Sequence, residues 1–517
     1  MKGSRKIREA KGRWFEVPTA VVLLGLASAA AVWFFYSRGQ LYWYGDAEAH
    51  LNIARRMVDS RTPGYEQIGT VWLPLLHALI LPLVRHDALW HNGLAGTLPS
   101  VAAYVLAGAF LFAAVRRLFG SAPAWTATAL FALNPNLLYL QSTAMTEPLF
   151  LACLMAMLYC GVLFRDTQWR AALVGAAVAN AAASLARYEG WFLIPFAAAY
   201  FFFAARNGRT GAAVLYGGVA SLGALYWLGH NRFFFGGALY FFNGPYSARA
   251  IQGGNPYPGQ HDWRQALLYF RTAARLCAGW PLFWLGLAGT AAALARRALW
   301  PVLLLLLPPA FYVWSIHSSG TPIFVPPLWP HTYYNSRYGL ALLPLLAVGA
   351  GALVAWTPPR WARWAALITV GAGMAPWLAA PRPDAWITWK EAAVNSAGRR
   401  AWTKEAAAFL GPRYRRGSGI YTSFGDLTGI FRNMPLPLRE TLTGDNEPHW
   451  QAAFGRPDLF LREEWAVCMG GDAVQTVMTR ARRPYPNYPD YTLVKTIIVK
   501  GAPVIEIYRR FKALETP

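Results

Sequence analysis

The sequence predicts a mostly α-helical polytopic transmembrane bundle with a small C-terminal α/β domain outside the membrane. Three observations predict it. Of 517 residues, 55% are apolar and 14% charged, whereas a soluble domain carries about 25% charged residues. Apolar runs long enough to cross a bilayer recur along the chain, and short basic clusters alternate between them. Beyond Pro381 the composition becomes charged and mixed, and the spans stop.

Runs of about 16 to 22 apolar residues, allowing for tilt, fall at 17–36, 94–115, 123–140, 147–164, 169–186, 190–205, 211–230, 276–295, 300–316, 338–356 and 364–380. The basic residues test this placement. Lys2, Arg5, Lys6, Arg8, Lys11 and Arg13 precede the first span, and Arg116 and Arg117 follow the second. Arg165 and Arg170, Arg206 and Arg209, Arg296 and Arg297, then Arg360 and Arg363 mark later turns on the same side. By the positive-inside rule these turns are cytoplasmic. The N-terminus is then inside and the C-terminal domain outside a cell (plasma or inner) membrane. Every His, and every Asp or Glu except Glu9, Glu16 and Asp166, falls on the outer side. Groups able to do acid/base chemistry therefore concentrate there.

The net charge of +23 belongs to this topological pattern. No basic block is interleaved with a nucleic-acid module, which excludes a nucleic-acid partner. The run from Val17 to Tyr36 is long for a signal segment and reads as an uncleaved first span. The four cysteines, Cys153, Cys160, Cys277 and Cys468, make neither a disulfide framework nor a CxxC metal site.

The first outer loop, 37–93, opens on Tyr42-Trp43-Tyr44-Gly45-Asp46-Ala47-Glu48-Ala49-His50. Ionisable groups at the mouth of a span are a functional-site hypothesis by default. If Asp46 starts a helix, His50 lies one turn on along the same face. Asp46 equally suits a helix N-cap. The Pro-broken run Val71 to Val84 is short for a span and fits the membrane interface, with Trp43, Trp72 and Trp90 as anchors. In the second outer segment, Phe233 to Phe241 could dip into lipid, and Trp263 to Ala273 reads as an amphipathic helix. A third, His317 to Ser336, carries four prolines and leads into Arg337 and Tyr338. In the C-terminal domain, 381–517, Ala392 to Leu410 reads as helix, and Tyr491 to Arg509 as two strands around Gly501. The first domain is then 1–380, with the 37–93 loop as part of it.

Two further motifs place charge at span ends. Thr146-Glu147-Pro148 puts a carboxylate just ahead of a span, with Pro where its missing N–H costs nothing. Glu147 can favour the helix dipole there or serve a site. Ala186-Arg187-Tyr188-Glu189-Gly190 puts Arg187 and Glu189 in a tight outer turn, as an internal ion pair or as site residues.

Together Gly45-Asp46, Thr146-Glu147-Pro148 and Ala186-Arg187-Tyr188-Glu189-Gly190 resemble the GT-C superfamily of polytopic membrane glycosyltransferases. The closest group is the protein O-mannosyltransferase-like and aminoarabinose-transferase-like one, of the family 39 type. Asn231 to Phe241 and the outer C-terminal domain are also similar. Asp46 stands alone where several relatives pair two acids, with Glu48 two positions on.

The resemblance implies inverting transfer of a sugar, hexosyl or pentosyl, from a polyprenyl-phosphate donor to an acceptor at the outer face. That acceptor is a protein, lipid or glycan. Asp46 is the family-matched general base, with Glu147 as a second catalytic carboxylate. Arg187, Arg337 and Tyr338 are the donor-phosphate candidates, since guanidinium grips phosphate oxygens in a fork. Glu48, His50, Glu189, His261 and His331 are acceptor-side or supporting candidates. Asp46, His50, Glu147, His261 and His331 share a side and leave a divalent metal open as a cofactor, though no HxxxH or paired-carboxylate spacing is present. Rival readings are a lipid-linked sugar polymerase or ligase, a transporter or flippase, and a non-catalytic assembly subunit. Neither inverted repeats nor midplane helix breaks favour the transporter.

Overall fold

The computed structural model describes residues 2–423, 429–480 and 489–510. Chain order gives α1 (Lys2–Tyr36), α2 (Gly45–Arg56), α3 (Pro74–Val84), α4 (Asp87–Asn92), α5 (Leu94–Phe119), α6 (Ser121–Ala132), α7 (Pro135–Gln141), α8 (Glu147–Thr167), α9 (Arg170–Ala186), α10 (Glu189–Ala204) and α11 (Arg209–Phe235). There follow α12 (Tyr240–Asn243), α13 (Ala248–Gln252), α14 (Trp263–Ala278), α15 (Trp280–Ala295), α16 (Leu299–Ser318), a 3-10 turn Ser336–Leu342, α17 (Leu343–Val354), α18 (Ala362–Ala379) and α19 (Ile387–Leu410). Every expected span overlaps helix. Six of the described helical stretches are long and apolar enough to cross a membrane by length and composition, and counting a bent pair as one span gives seven. The protein is a multi-pass membrane protein with a mostly helical fold.

Two span placements are corrected. The expected span 123–140 is broken into α6 and α7, because the Asn134 side chain caps α7 by accepting from the N–H groups of Asn136 and Leu137. Pro135 then takes the first helical position, which needs no N–H. The expected span 276–295 begins only at Trp280: α14 and α15 meet at 110°, across Gly279 at φ +81°, a backbone that favours glycine.

The chain forms two compact units. One holds residues 1–40, 70–76 and 97–391; the other holds 41–69, 77–96 and 392–517. The expected division, 1–380 and 381–517, groups the 37–93 loop with the spans. By contact most of that loop groups with the C-terminal residues instead.

In the first unit the helices pack closely through small residues, as membrane bundles do. A Cβ on Gly289 of α15 would fall 1.9 Å from the Gly349 carbonyl oxygen of α17. Polar contacts tie other helices together. Asn180 donates to the Gly190 carbonyl at 2.7 Å and accepts from the Tyr216 hydroxyl at 2.9 Å.

In the second unit a five-stranded sheet runs in the order β2-β1-β3-β5-β4, with β1 (Ile420–Thr422), β2 (Thr441–Leu442), β3 (Trp465–Met469), β4 (Tyr491–Ile497) and β5 (Ile505–Arg510). β1 pairs parallel with β2 and β3, and β5 pairs antiparallel with β3 and β4. Period-two alternation builds two cores. Ile420, Val467, Ile505 and Ile507 face Trp402, Leu410 and Phe431. Tyr421, Ala466, Cys468 and Tyr508 face Leu442, Trp450, Val474 and Val477.

Candidate functional site

In the first unit an ion network forms where four segments end. Thr146 precedes α8, and Glu147 is its first residue. Arg187 ends α9 in an extended conformation, and Glu189 starts α10. Arg337 lies in the 3-10 turn after Asn335, whose φ is +53°. Glu391 belongs to the first turns of α19.

Glu147 Oε1 meets Arg187 Nη1 at 3.1 Å and Arg337 Nε at 3.0 Å. Arg187 also donates from Nε to Glu189 Oε1 at 2.6 Å, from Nη1 to Thr146 Oγ1 at 2.7 Å and from Nη2 to the Tyr312 hydroxyl at 2.8 Å. Tyr312 in turn donates to Glu189. Arg337 Nη1 donates to Glu391 Oε1 at 3.1 Å. Glu391 Oε2 accepts from the Ser336 N–H at 2.7 Å and from the Ser336 hydroxyl. The Tyr338 ring centroid lies 5.2 Å from the Arg187 guanidinium carbon and 5.0 Å from that of Arg337, and the ring stacks on Tyr312 at 4.5 Å.

Glu147, Glu189, Glu391 and Arg337 are all buried. Charges are removed from water here only because each has partners. Burial opposes the Arg187 charge, and Glu189, with Tyr312 and Glu147, more than restores it, so its pKa rises above the ordinary value. Glu147 Oε2 is buried with no hydrogen-bond partner.

The second unit holds the first-loop candidates. The helix α2 starts at Gly45, and Tyr44 occupies the N-cap position. Asp46 is thus not the cap that its residue type suggests; it lies inside the first turn, half-buried. A carboxylate there still favours the helix dipole. Glu48 is buried between Arg399, at 3.2 Å, and Arg432, at 3.2 Å. Arg399 Nη2 also donates to the carbonyls of Tyr42 and Trp43, and Arg432 stacks 3.6 Å above the Tyr42 ring. Tyr42 is itself fixed by donating its hydroxyl to the Trp90 carbonyl. Burial pushes its phenol well above the ordinary pKa, so it remains a donor.

His50 Nδ1 bonds His77 Nε2 at 3.0 Å, with both rings buried. The candidates His261 and His331 are exposed: the His261 N–H donates to the His317 carbonyl, and His331 Nδ1 bonds the Pro326 carbonyl at 2.9 Å. Among the described residues no group of three or more His, Cys, Asp or Glu is placed to share a metal ion. No three of Asp46, His50, Glu147, His261 and His331 are so placed.

Within the first unit the structure unites Glu147, Arg187, Glu189, Arg337 and Tyr338, and leaves His261 and His331 apart from them. Sequence reasoning missed Glu391, Tyr312, Arg399 and Arg432 as members of these groups. No local signal points to them, because their partners lie far away in the chain.

Helical spans joined by short turns, with charged groups at span ends and a second α/β unit, make an ArnT-like fold. A model of the dolichyl-phosphate-mannose-protein mannosyltransferase family matches residues 74–227, a segment that contains Glu147, Arg187 and Glu189 but not Asp46. The crystal structure of ArnT from Cupriavidus metallidurans bound to undecaprenyl phosphate is similar, with a TM-score of 0.58 and 15% identity over 94% of this chain and 97% of that one. Its apo state gives 0.56 and 16% over 95% and 98%. The archaeal oligosaccharyltransferase AglB from Archaeoglobus fulgidus, in complex with an inhibitory peptide and a dolichol-phosphate, gives 0.48 and 13% over 88% and 70%. No curated protein matches the sequence.

Proposed function

We propose that the protein is an integral membrane glycosyltransferase that moves a sugar from a polyprenyl-phosphate donor to an acceptor at the outer membrane face. The observation that carries this reading is the family match over 74–227, since it takes in three of the five charged residues that form the buried network. The ArnT-like fold over nearly the whole chain is consistent with it.

In the proposed reaction the Asp46 carboxylate takes the proton of the acceptor's nucleophile. The nucleophile bonds to the anomeric carbon from the side opposite the phosphate, and the phosphate leaves with the electron pair of the broken bond, which inverts the centre. Arg337 holds the leaving phosphate. Its place at the start of a span, in a run with Tyr333, Tyr334 and Tyr338, favours it over Arg187 for that role. Tyr338 supports both guanidiniums, and Glu147 holds them in register.

The protein would sit in the cell membrane with its N-terminus cytoplasmic and its second unit outside, by the distribution of basic turns. The test has two parts. Purified protein in lipid should release free polyprenyl phosphate from a polyprenyl-phosphate sugar when acceptor is present, and a protein that never consumes such donors refutes the reading. Reporter fusions should place Arg117, Arg209, Arg297 and Arg363 inside and Trp450 outside; a cytoplasmic Trp450 overturns the orientation.

A further inference from the structure

Among the described residues, the ion pairs at the span ends of the first unit join two guanidiniums, Arg187 and Arg337, to three carboxylates, Glu147, Glu189 and Glu391. A phosphate arriving at Arg337 therefore meets excess negative charge in a poorly screened interior. One carboxylate has to give way.

We infer that Glu391 is the internal anion that occupies Arg337 in the ligand-free protein and is exchanged for the carrier phosphate, an inference that rests on the reading of Arg337 as the phosphate-binding residue. Geometry distinguishes Glu391 from Glu147. Glu147 Oε1 is shared by both arginines, so moving it uncovers two charges. Glu391 meets Arg337 through Oε1, while its other oxygen accepts from the Ser336 N–H and hydroxyl. When Arg337 turns to a phosphate, Glu391 keeps those donors and is not left bare, which avoids most of the cost of an unpaired buried charge.

The helix that carries Glu391 is anchored for this role. One turn earlier, the Thr388 N–H donates to Asn136 Oδ1 at 3.0 Å and its hydroxyl to the Asn136 carbonyl at 3.2 Å. Trp389 Nε1 donates to Gln40 Oε1 at 2.9 Å. Across the exchange Glu391 stays in place, and the mobile partner is the long arginine side chain.

Glu391→Gln keeps the shape and an oxygen for Ser336 or Arg337 but removes the competing charge. It should tighten undecaprenyl-phosphate binding by the full-length protein in nanodiscs, by about tenfold. Undecaprenol, which lacks the phosphate, should bind equally to both proteins. A structural role alone would weaken binding of both lipids or neither. Unchanged or weaker phosphate binding by Glu391→Gln overturns the inference. Should that variant not be recovered folded, Glu391→Asp, whose carboxylate draws back from Arg337 by one methylene, must tighten binding in the same direction, and its failure to do so overturns the inference equally. Arg337→Ala in the same assay tests the underlying reading. If it leaves undecaprenyl-phosphate binding unchanged, Arg337 is not the phosphate residue; if it weakens binding while both Glu391 variants do not tighten it, the exchange alone is wrong.

Discussion

Glu147 in the first unit and Glu48 in the second are each buried between two arginines, at 3.0 to 3.2 Å, yet their surroundings differ. The arginines on Glu147 are answered by further carboxylates, Glu189 and Glu391. Those on Glu48 are answered by neutral groups, the Tyr42 and Trp43 carbonyls and the Tyr42 ring. A carboxylate-rich network can trade one anion for another. Glu48 and its arginines instead clamp the turn from Tyr42 into α2, and so fix the backbone that carries Asp46.

The largest effect that would sharpen this contrast is on folding. Arg187→Ala leaves Glu147 and Glu189 short of a buried partner and should destabilise the protein by about 3 to 5 kcal/mol. Arg432→Ala leaves Glu48 still paired with Arg399 and should lower thermal stability much less. Equal losses in detergent-solubilised unfolding would erase the distinction.

Next in size is the effect on chemistry in the second unit. With the N-cap at Tyr44, Asp46→Asn removes no cap, and the lost carboxylate costs the helix about 0.3 to 1 kcal/mol through the dipole. As a general base its loss should cut turnover by about a hundredfold or more with donor binding kept. Parental turnover in that variant would remove Asp46 from the mechanism and direct attention to Glu147.

A smaller effect separates grip from charge in the first unit. Arg337→Lys keeps the positive charge but loses the planar fork that bonds two partners at once. Undecaprenyl-phosphate affinity should fall by about 1 to 3 kcal/mol, as for a lost hydrogen bond to a charged group. Unchanged affinity would show that charge alone suffices at this position.

How much of this was legible in the sequence follows from the range of each interaction. Spans depend on local apolar length, and so all the expected ones overlap helix, although two are broken within the expected bounds. The break at Asn134 was readable in principle, since Asn followed by Pro is a helix start, but the apolar run on either side masked it. The Arg187–Glu189 pair lies two residues apart and was visible as a candidate. Glu391 and Arg337 are separated by 54 residues, and Arg432 and Glu48 by 384. Nothing in either local sequence encodes such a meeting, which depends on how helices pack. The cap alternative for Asp46 fails for the opposite reason: residue preference suggests it, but the aromatic turn begins the helix at Gly45 instead.

The smallest expected effect lies at the edge of the Glu48 clamp. His91, on α4, is half-buried, and its pKa is drawn below the ordinary value, first by burial, with Asp87 opposing, Arg55 adding to the downward pull, and Arg432 acting both ways, its backbone bond upward and its charge downward. Its Nδ1 is buried without a hydrogen-bond partner. Because the folded protein holds this imidazole's proton less tightly than the unfolded chain does, protonation favours unfolding. Stability from neutral His91 is then fully present above the unfolded value of about 6.5, and is lost as pH falls towards and through the lower folded value. Unfolding midpoints of the parent and of His91→Gln should diverge on acidification from pH 7.5 to 5.5, with the parent losing more. Parallel curves would place the acid sensitivity of the second unit elsewhere and leave the arginines around Glu48 without influence on this ring.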